Sequence, residues 1–121
     1  MNHQKIVYTY TDGSGNMFTI TNAERITIEY HPIKPLYSSS GIYDGGEPLN
    51  KEVSISAYES IITLLNEAID DKKNHLKNRI KTSSIIGLEK EDFKEYYIIN
   101  HNSDALTPIE DWFLAFRGII D

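Results

Sequence analysis

Apolar and polar residues alternate one by one through most of the first thirty positions, which is the two-residue period of extended strands. From Lys5 to Thr11 the pattern sets Ile6, Tyr8 and Tyr10 on one side and Val7, Thr9 and Thr11 on the other. Asp12-Gly-Ser-Gly-Asn16 then supplies the residues that tolerate positive φ in a tight reversal. Met17 to Thr21 reads as the returning strand. Arg25 to Tyr30 alternates again, with Ile26, Ile28 and Tyr30 inward. The pattern predicts an N-terminal three-stranded meander.

Pro32 and Pro35 interrupt it, and residues 32–53 read as a connection that is long for a compact domain. At Ser56-Ala-Tyr-Glu59 the sequence fits a capping box, in which the serine oxygen and the glutamate satisfy reciprocal amides at a helix start. Tyr58, Ile61, Leu65, Ala68, Ile69, Leu76 and Ile80 recur at three- and four-residue steps, so the helix is expected to run on to about Ile80. Thr82-Ser-Ser marks its exit, and Ile85-Ile86-Gly87 reads as a short strand or an irregular apolar segment. Residues 94–99, ending in Tyr96-Tyr-Ile-Ile99, read as a fourth strand.

Thr107-Pro-Ile-Glu110 is a second capping box, with proline where its missing N–H costs nothing. The helix it opens has a stripe of Ile109, Trp112, Phe113, Phe116 and Ile120. Leu114 and Ile119 fall outside that stripe and widen the apolar surface, which suggests a deep groove in the sheet or a second chain against the helix. Strands first and helices later point to an α+β domain spanning 1–121: a small antiparallel sheet, the meander plus a fourth strand, covered on one face by two helices.

The composition suits one core without staples: 121 residues, 40% hydrophobic and 25% charged. Cysteine is absent, which excludes disulfides, thiolate metal sites and a cysteine nucleophile. Twelve Lys and Arg against eighteen Asp and Glu give a net charge of −6, which opposes nucleic acid as a partner. The basic residues Lys72, Lys73, Lys77, Arg79 and Lys81 are interleaved with Asp70 and Asp71 and read as one solvated helix face. Neither a leader-like apolar stretch nor a membrane span is visible, so the expectation is a cytoplasmic protein without membrane contact.

Candidate chemistry is sparse. The run Ser38, Ser39, Ser40, Gly41, Ile42, Tyr43, Asp44, Gly45, Gly46 invites an anion-holding nest of backbone amides. It lacks the lysine of a phosphate-binding loop, and Asp44 and Glu47 oppose an anion, so a structural loop is the plainer reading and a recognition surface for a ligand or protein the alternative. Asp12-Gly-Ser-Gly-Asn16 starts like a calcium loop but has Met17 where that loop needs glycine and Ala23 where it needs a carboxylate. Asp71, His75 and Arg79 stand at four-residue steps, a spacing that on a helix gives either an oriented imidazole or a ladder of charge pairs. His31 and His101 follow strands and meet only if those strands are neighbours. Glu89, Glu91, Asp92 and Glu95 form a charge run suited to solvent or to a basic partner. No metal or cofactor is implied.

The segment Pro32 to Pro48, Pro-Ile-Lys-Pro-Leu-Tyr-Ser-Ser-Ser-Gly-Ile-Tyr-Asp-Gly-Gly-Glu-Pro, together with His75-Leu-Lys-Asn-Arg79, resembles a pattern found in small uncharacterised bacterial proteins. The resemblance implies no activity and no catalytic residue. It suggests that the loop and the helix end share one site. Three functional readings follow. The first is a non-enzymatic bacterial protein-binding module, inhibitor or immunity-like, that uses its acidic surface and tyrosine-bearing loop. The second is a small anionic-ligand or enzymatic site built from Ser38, Ser39, Ser40, Gly41, Tyr43, Gly45, Gly46, His75, Asn78 and Arg79. The third is a homodimer through the C-terminal helix.

Overall fold

A computed structural model describes residues 5–32, 47–78 and 83–118. Its elements are β1 (Ile6–Thr11), β2 (Met17–Asn22), β3 (Ile26–His31), β4 (Leu49–Glu52), α1 (Ile55–Asp70), β5 (His75–Leu76), β6 (Ser84–Lys90), β7 (Phe93–Ile99) and α2 (Leu106–Phe116). Among the described residues the seven strands form one open sheet in the order β4-β3-β2-β1-β6-β7-β5, with every neighbouring pair antiparallel. With two helices, the fold is α+β.

Strand register turns the alternation of the sequence into a continuous apolar surface. Tyr8 stands opposite Ile20 and Ile20 opposite Ile28; Tyr10 stands opposite Phe18 and Phe18 opposite Tyr30. On the other side of β1, Tyr10 faces Ile86 and Tyr8 faces Leu88. These residues share one core with Tyr58, Ile61, Leu65 and Ala68 of α1 and Leu106, Ile109 and Phe113 of α2. Phe113 is the keystone of α2: its ring stacks on Phe18 at 3.9 Å between centroids and on Tyr10 at 5.6 Å. Full burial of a side chain of this size stabilises the fold by roughly 1.5–3 kcal/mol.

Several expected boundaries shift. Residues 49–52 are a strand, β4, held on β3 by register pairs such as Tyr30 with Leu49. The apolar Ile85-Ile86 segment lies near the start of a full strand that turns at Glu91 and Asp92 into β7. Ser54, not Ser56, caps α1: its Oγ accepts the Ala57 N–H at 3.1 Å.

The largest correction is the length of α1, which ends at Asp70 and does not run on to Ile80. Between Ile69 and Leu76 the chain reads Asp-Asp-Lys-Lys-Asn-His, nearly two turns with nothing to hold against the core. Two aspartates also oppose the negative end of the helix dipole. The Asp71 N–H closes the last turn on the Glu67 and Ala68 carbonyls, Lys72–Asn74 forms a single 3-10 turn, and β5 follows. At α2 the cap position is Ala105, with Thr107 inside the first turn; the Ser103 Oγ accepts the Ala105 N–H at 3.3 Å. No helix among the described residues is long and apolar enough to cross a membrane.

Candidate ligand-binding cleft

The Ser38, Ser39, Ser40, Gly41, Tyr43, Gly45, Gly46 run and Arg79 lie outside the described residues. His75 and Asn78 are described, and neither is on α1: His75 belongs to β5 and Asn78 to the exposed bend after it. The Asp71–His75 helical step therefore does not form. His75 turns its Nε2 to the Ala68 carbonyl at 3.1 Å, which requires Nε2 to carry the proton, and its ring lies 5.6 Å from that of Tyr97. Asp71 instead accepts the Asn74 side-chain amide at 2.6 Å. His31 and His101 stay apart, since β2, β1 and β6 separate β3 from β7. His31 contacts Glu29 at 3.2 Å on the surface.

A different group of residues converges at the end of the sheet where β1 turns into β2. In that hairpin Asp12 Oδ1 accepts the backbone N–H groups of Ser14 and Asn16 at 2.9 and 3.0 Å, and Oδ2 accepts the Asn16 side-chain amide at 3.1 Å. Gly15 closes the turn at φ 100°, a conformation that costs glycine nothing. Two residues before Asp12, Tyr10 is 1% exposed and points under α2. Its hydroxyl donates to Glu110 Oε2 at 2.7 Å and lies 3.2 Å from Ser84 Oγ, so the serine donates to the phenol oxygen. Three chain segments, β1, the start of β6 and α2, are tied together by the Tyr10 hydroxyl, beside the turn that Asp12 holds.

The network borders a cleft of about 350 Å³ lined by Asp12, Ser14, Ser84, His101, Ser103, Thr107 and Glu110, with Gly13 and Leu106 completing the wall. A smaller hollow of about 100 Å³ adjoins it through Asp12 and Glu110 and is floored by Phe18, Phe113 and Leu114, with Arg117 at its far side. Leu114 thus finds its place in this hollow. Ser84 and Ser103 are buried, whereas His101 and Glu110 are exposed. Burial pushes the Tyr10 phenol well above its ordinary value; the Ser84 hydrogen bond lowers it in part, while the bond to Glu110 and the charges of Glu110 and Asp12 raise it further. Tyr10 is therefore a fixed neutral donor rather than a nucleophile. Among the described residues no three His, Asp or Glu side chains gather to hold a metal.

Among the described residues the chemistry of the cleft is that of an acceptor: two carboxylates, four hydroxyls and an imidazole, with neither Lys nor Arg in the lining. Asp12 spends its oxygens on the turn, while Glu110 accepts the Tyr10 hydroxyl through Oε2. Such a site suits a cationic or hydroxyl-bearing donor group. Spacing did not reveal it, because its members lie far apart along the chain; the one sequence signal is Tyr10, an inward-facing phenol that needs a polar partner when buried. No family model, no curated protein and no solved structure matches this chain.

Proposed function

We propose that this chain is a non-enzymatic protein-binding module, inhibitor or immunity-like, that receives a basic side chain of its partner in the cleft between the β1–β2 turn and α2. The observation that carries the reading is the cleft itself: about 350 Å³ of space faced, among the described residues, by Asp12, Glu110 and four hydroxyls and by no lysine or arginine. The net charge of −6 adds long-range attraction for a basic partner. In this reading both helices cover the same face of the sheet, which fixes the cleft between α2 and the strand ends and leaves the opposite face free. The partial positive charge at the start of α2 is about half a unit and is outweighed by a full carboxylate at Glu110.

The test is an NMR titration of the labelled chain with Nα-acetyl-lysine methylamide, with acetate as the anionic counterpart. The lysine derivative is expected to shift the amides of Asp12, Ser84, His101 and Glu110. In Glu110→Gln, which keeps an acceptor for Tyr10, binding is expected to weaken about fivefold, or ~1 kcal/mol. Shifts with acetate alone, or equal binding by Glu110→Gln, would refute the reading.

A further inference from the structure

An open sheet has two edges, and this one treats them differently. At β4 it is the side chains that are engaged: Lys51 Nζ donates to the Phe116 carbonyl at 3.2 Å, Glu52 meets Arg25 at 3.8 Å, and the Asn50 side-chain amide reaches Glu29 at 3.5 Å. At the other edge β5 pairs only with Ile98 and Ile99 of β7. Among the described residues, Phe93 to Tyr97 have β6 on one side and no strand on the other. In an antiparallel ladder alternate residues of such a stretch direct N–H and C=O groups outward, a template for another strand.

The same stretch exposes two large rings on opposite faces of the sheet, Phe93 at 43% and Tyr96 at 58%. Around them the hairpin carries Glu89, Glu91, Asp92 and Glu95 against Lys90 and Lys94. We infer that the edge of β7 from Phe93 to Tyr97, which no strand among the described residues covers, accepts an extended basic segment of a partner protein as an added strand. Backbone pairing supplies the attachment, Phe93 and Tyr96 flank the newcomer on either face, and Glu95 faces its basic side chains.

A second copy of this chain cannot pair the whole stretch Phe93 to Tyr97 with its own, a register centred on Glu95, without opposing like charges. Two identical sheets joined antiparallel at one edge are related by a twofold axis normal to the sheet, so residues of the same parity stand opposite one another. A register centred on Glu95 opposes two carboxylates, and one centred on Lys94 opposes two ammonium groups. Like charges directly opposite destabilise strand pairs. The same charges admit a foreign strand with lysine or arginine across from Glu95.

This surface shares no residue with the cleft, so it stands or falls separately. The probe is a capped peptide of about seven residues alternating lysine with valine, long enough to span the free stretch, titrated into the full labelled chain. The expected result is slowed hydrogen exchange and shifted amides at Phe93 to Tyr97. The same peptide N-methylated at its central residues keeps its charge but loses its donors, and should bind about tenfold more weakly or worse. Glu95→Lys should likewise weaken the parent peptide. Equal binding by the N-methylated peptide, shifts centred on Asp12 and Glu110 instead of β7, or no binding at millimolar peptide would overturn the inference.

Discussion

A single missing methyl group shapes the contact between β1, β6 and β7. Gly87 on β6 stands between Thr9 on β1 and Tyr96 on β7. A Cβ there would collide with Thr9 Oγ1 and come within 3.0 Å of the Tyr96 ring. Glycine therefore lets Tyr96 lie across the strands, with Lys94 Nζ 5.7 Å from its ring centre. Gly87→Ala is expected to cost about 1–2 kcal/mol in chemical denaturation, from overpacking against a stiff β-branched neighbour. Adding Thr9→Ala should recover part of that loss, and a double-mutant cycle measures how much; strictly additive costs would show that the crowding lies elsewhere. The sequence shows a glycine inside a strand pattern, a mark of close approach. Which atoms approach is decided by register alone.

At the scale of elements, cap and anchor decide where each helix lies. Two serines compete on paper for the start of α1, and the capping-box pattern favours Ser56. The chain uses Ser54, because Val53 is tied to β3 through its N–H on the Ile26 carbonyl at 2.9 Å, so the strand delivers the chain to its turn one residue later. Ser54→Ala is expected to lower stability by about 1 kcal/mol, whereas Ser56→Ala, on the exposed first turn, should stay within about 0.5 kcal/mol. Paired thermal melts of the two variants distinguish these caps. The strands of residues 6–31 were legible because their period is strict and one side is apolar throughout. β4 was not, since Leu49-Asn-Lys-Glu52 is a polar edge segment that becomes a strand only by pairing with β3. The end of α1 has the same cause: Leu76 keeps helical phase with Ile69, yet it is held by pairing with Ile98 on β7.

For the whole molecule, the buried phenols set how stability responds to alkali. Burial raises Tyr8 as well as Tyr10 above the usual value of 10.0, with an Asn66 hydrogen bond lowering Tyr8 in part. Below about pH 10 both phenols are protonated whether the chain is folded or not, and their contribution is fully present. As pH rises past that value the unfolded chain releases protons that the folded chain retains, so stability falls. Tyr10→Phe keeps the ring against Phe113 and removes one of the two protons from this linkage. Its denaturation midpoint should therefore fall less steeply between about pH 10 and 11.5 than that of the parent. Equal slopes would mean that Tyr10 ionises in the folded state as readily as it does in water.

The amino-acid order alone determined the strand-forming N-terminus, the apolar stripe of α2, the α+β class and the acidic balance. Each follows from local period or simple counting, which need no partner across the fold. Tertiary structure decided the rest: β4 and β5, the end of α1, the role of His75 as a donor to a helix carbonyl, and the meeting of Tyr10, Asp12, Ser84 and Glu110. The last of these joins residues up to a hundred positions apart. Contacts of that span leave no period in the chain, because they are set by which strands become neighbours and in what register.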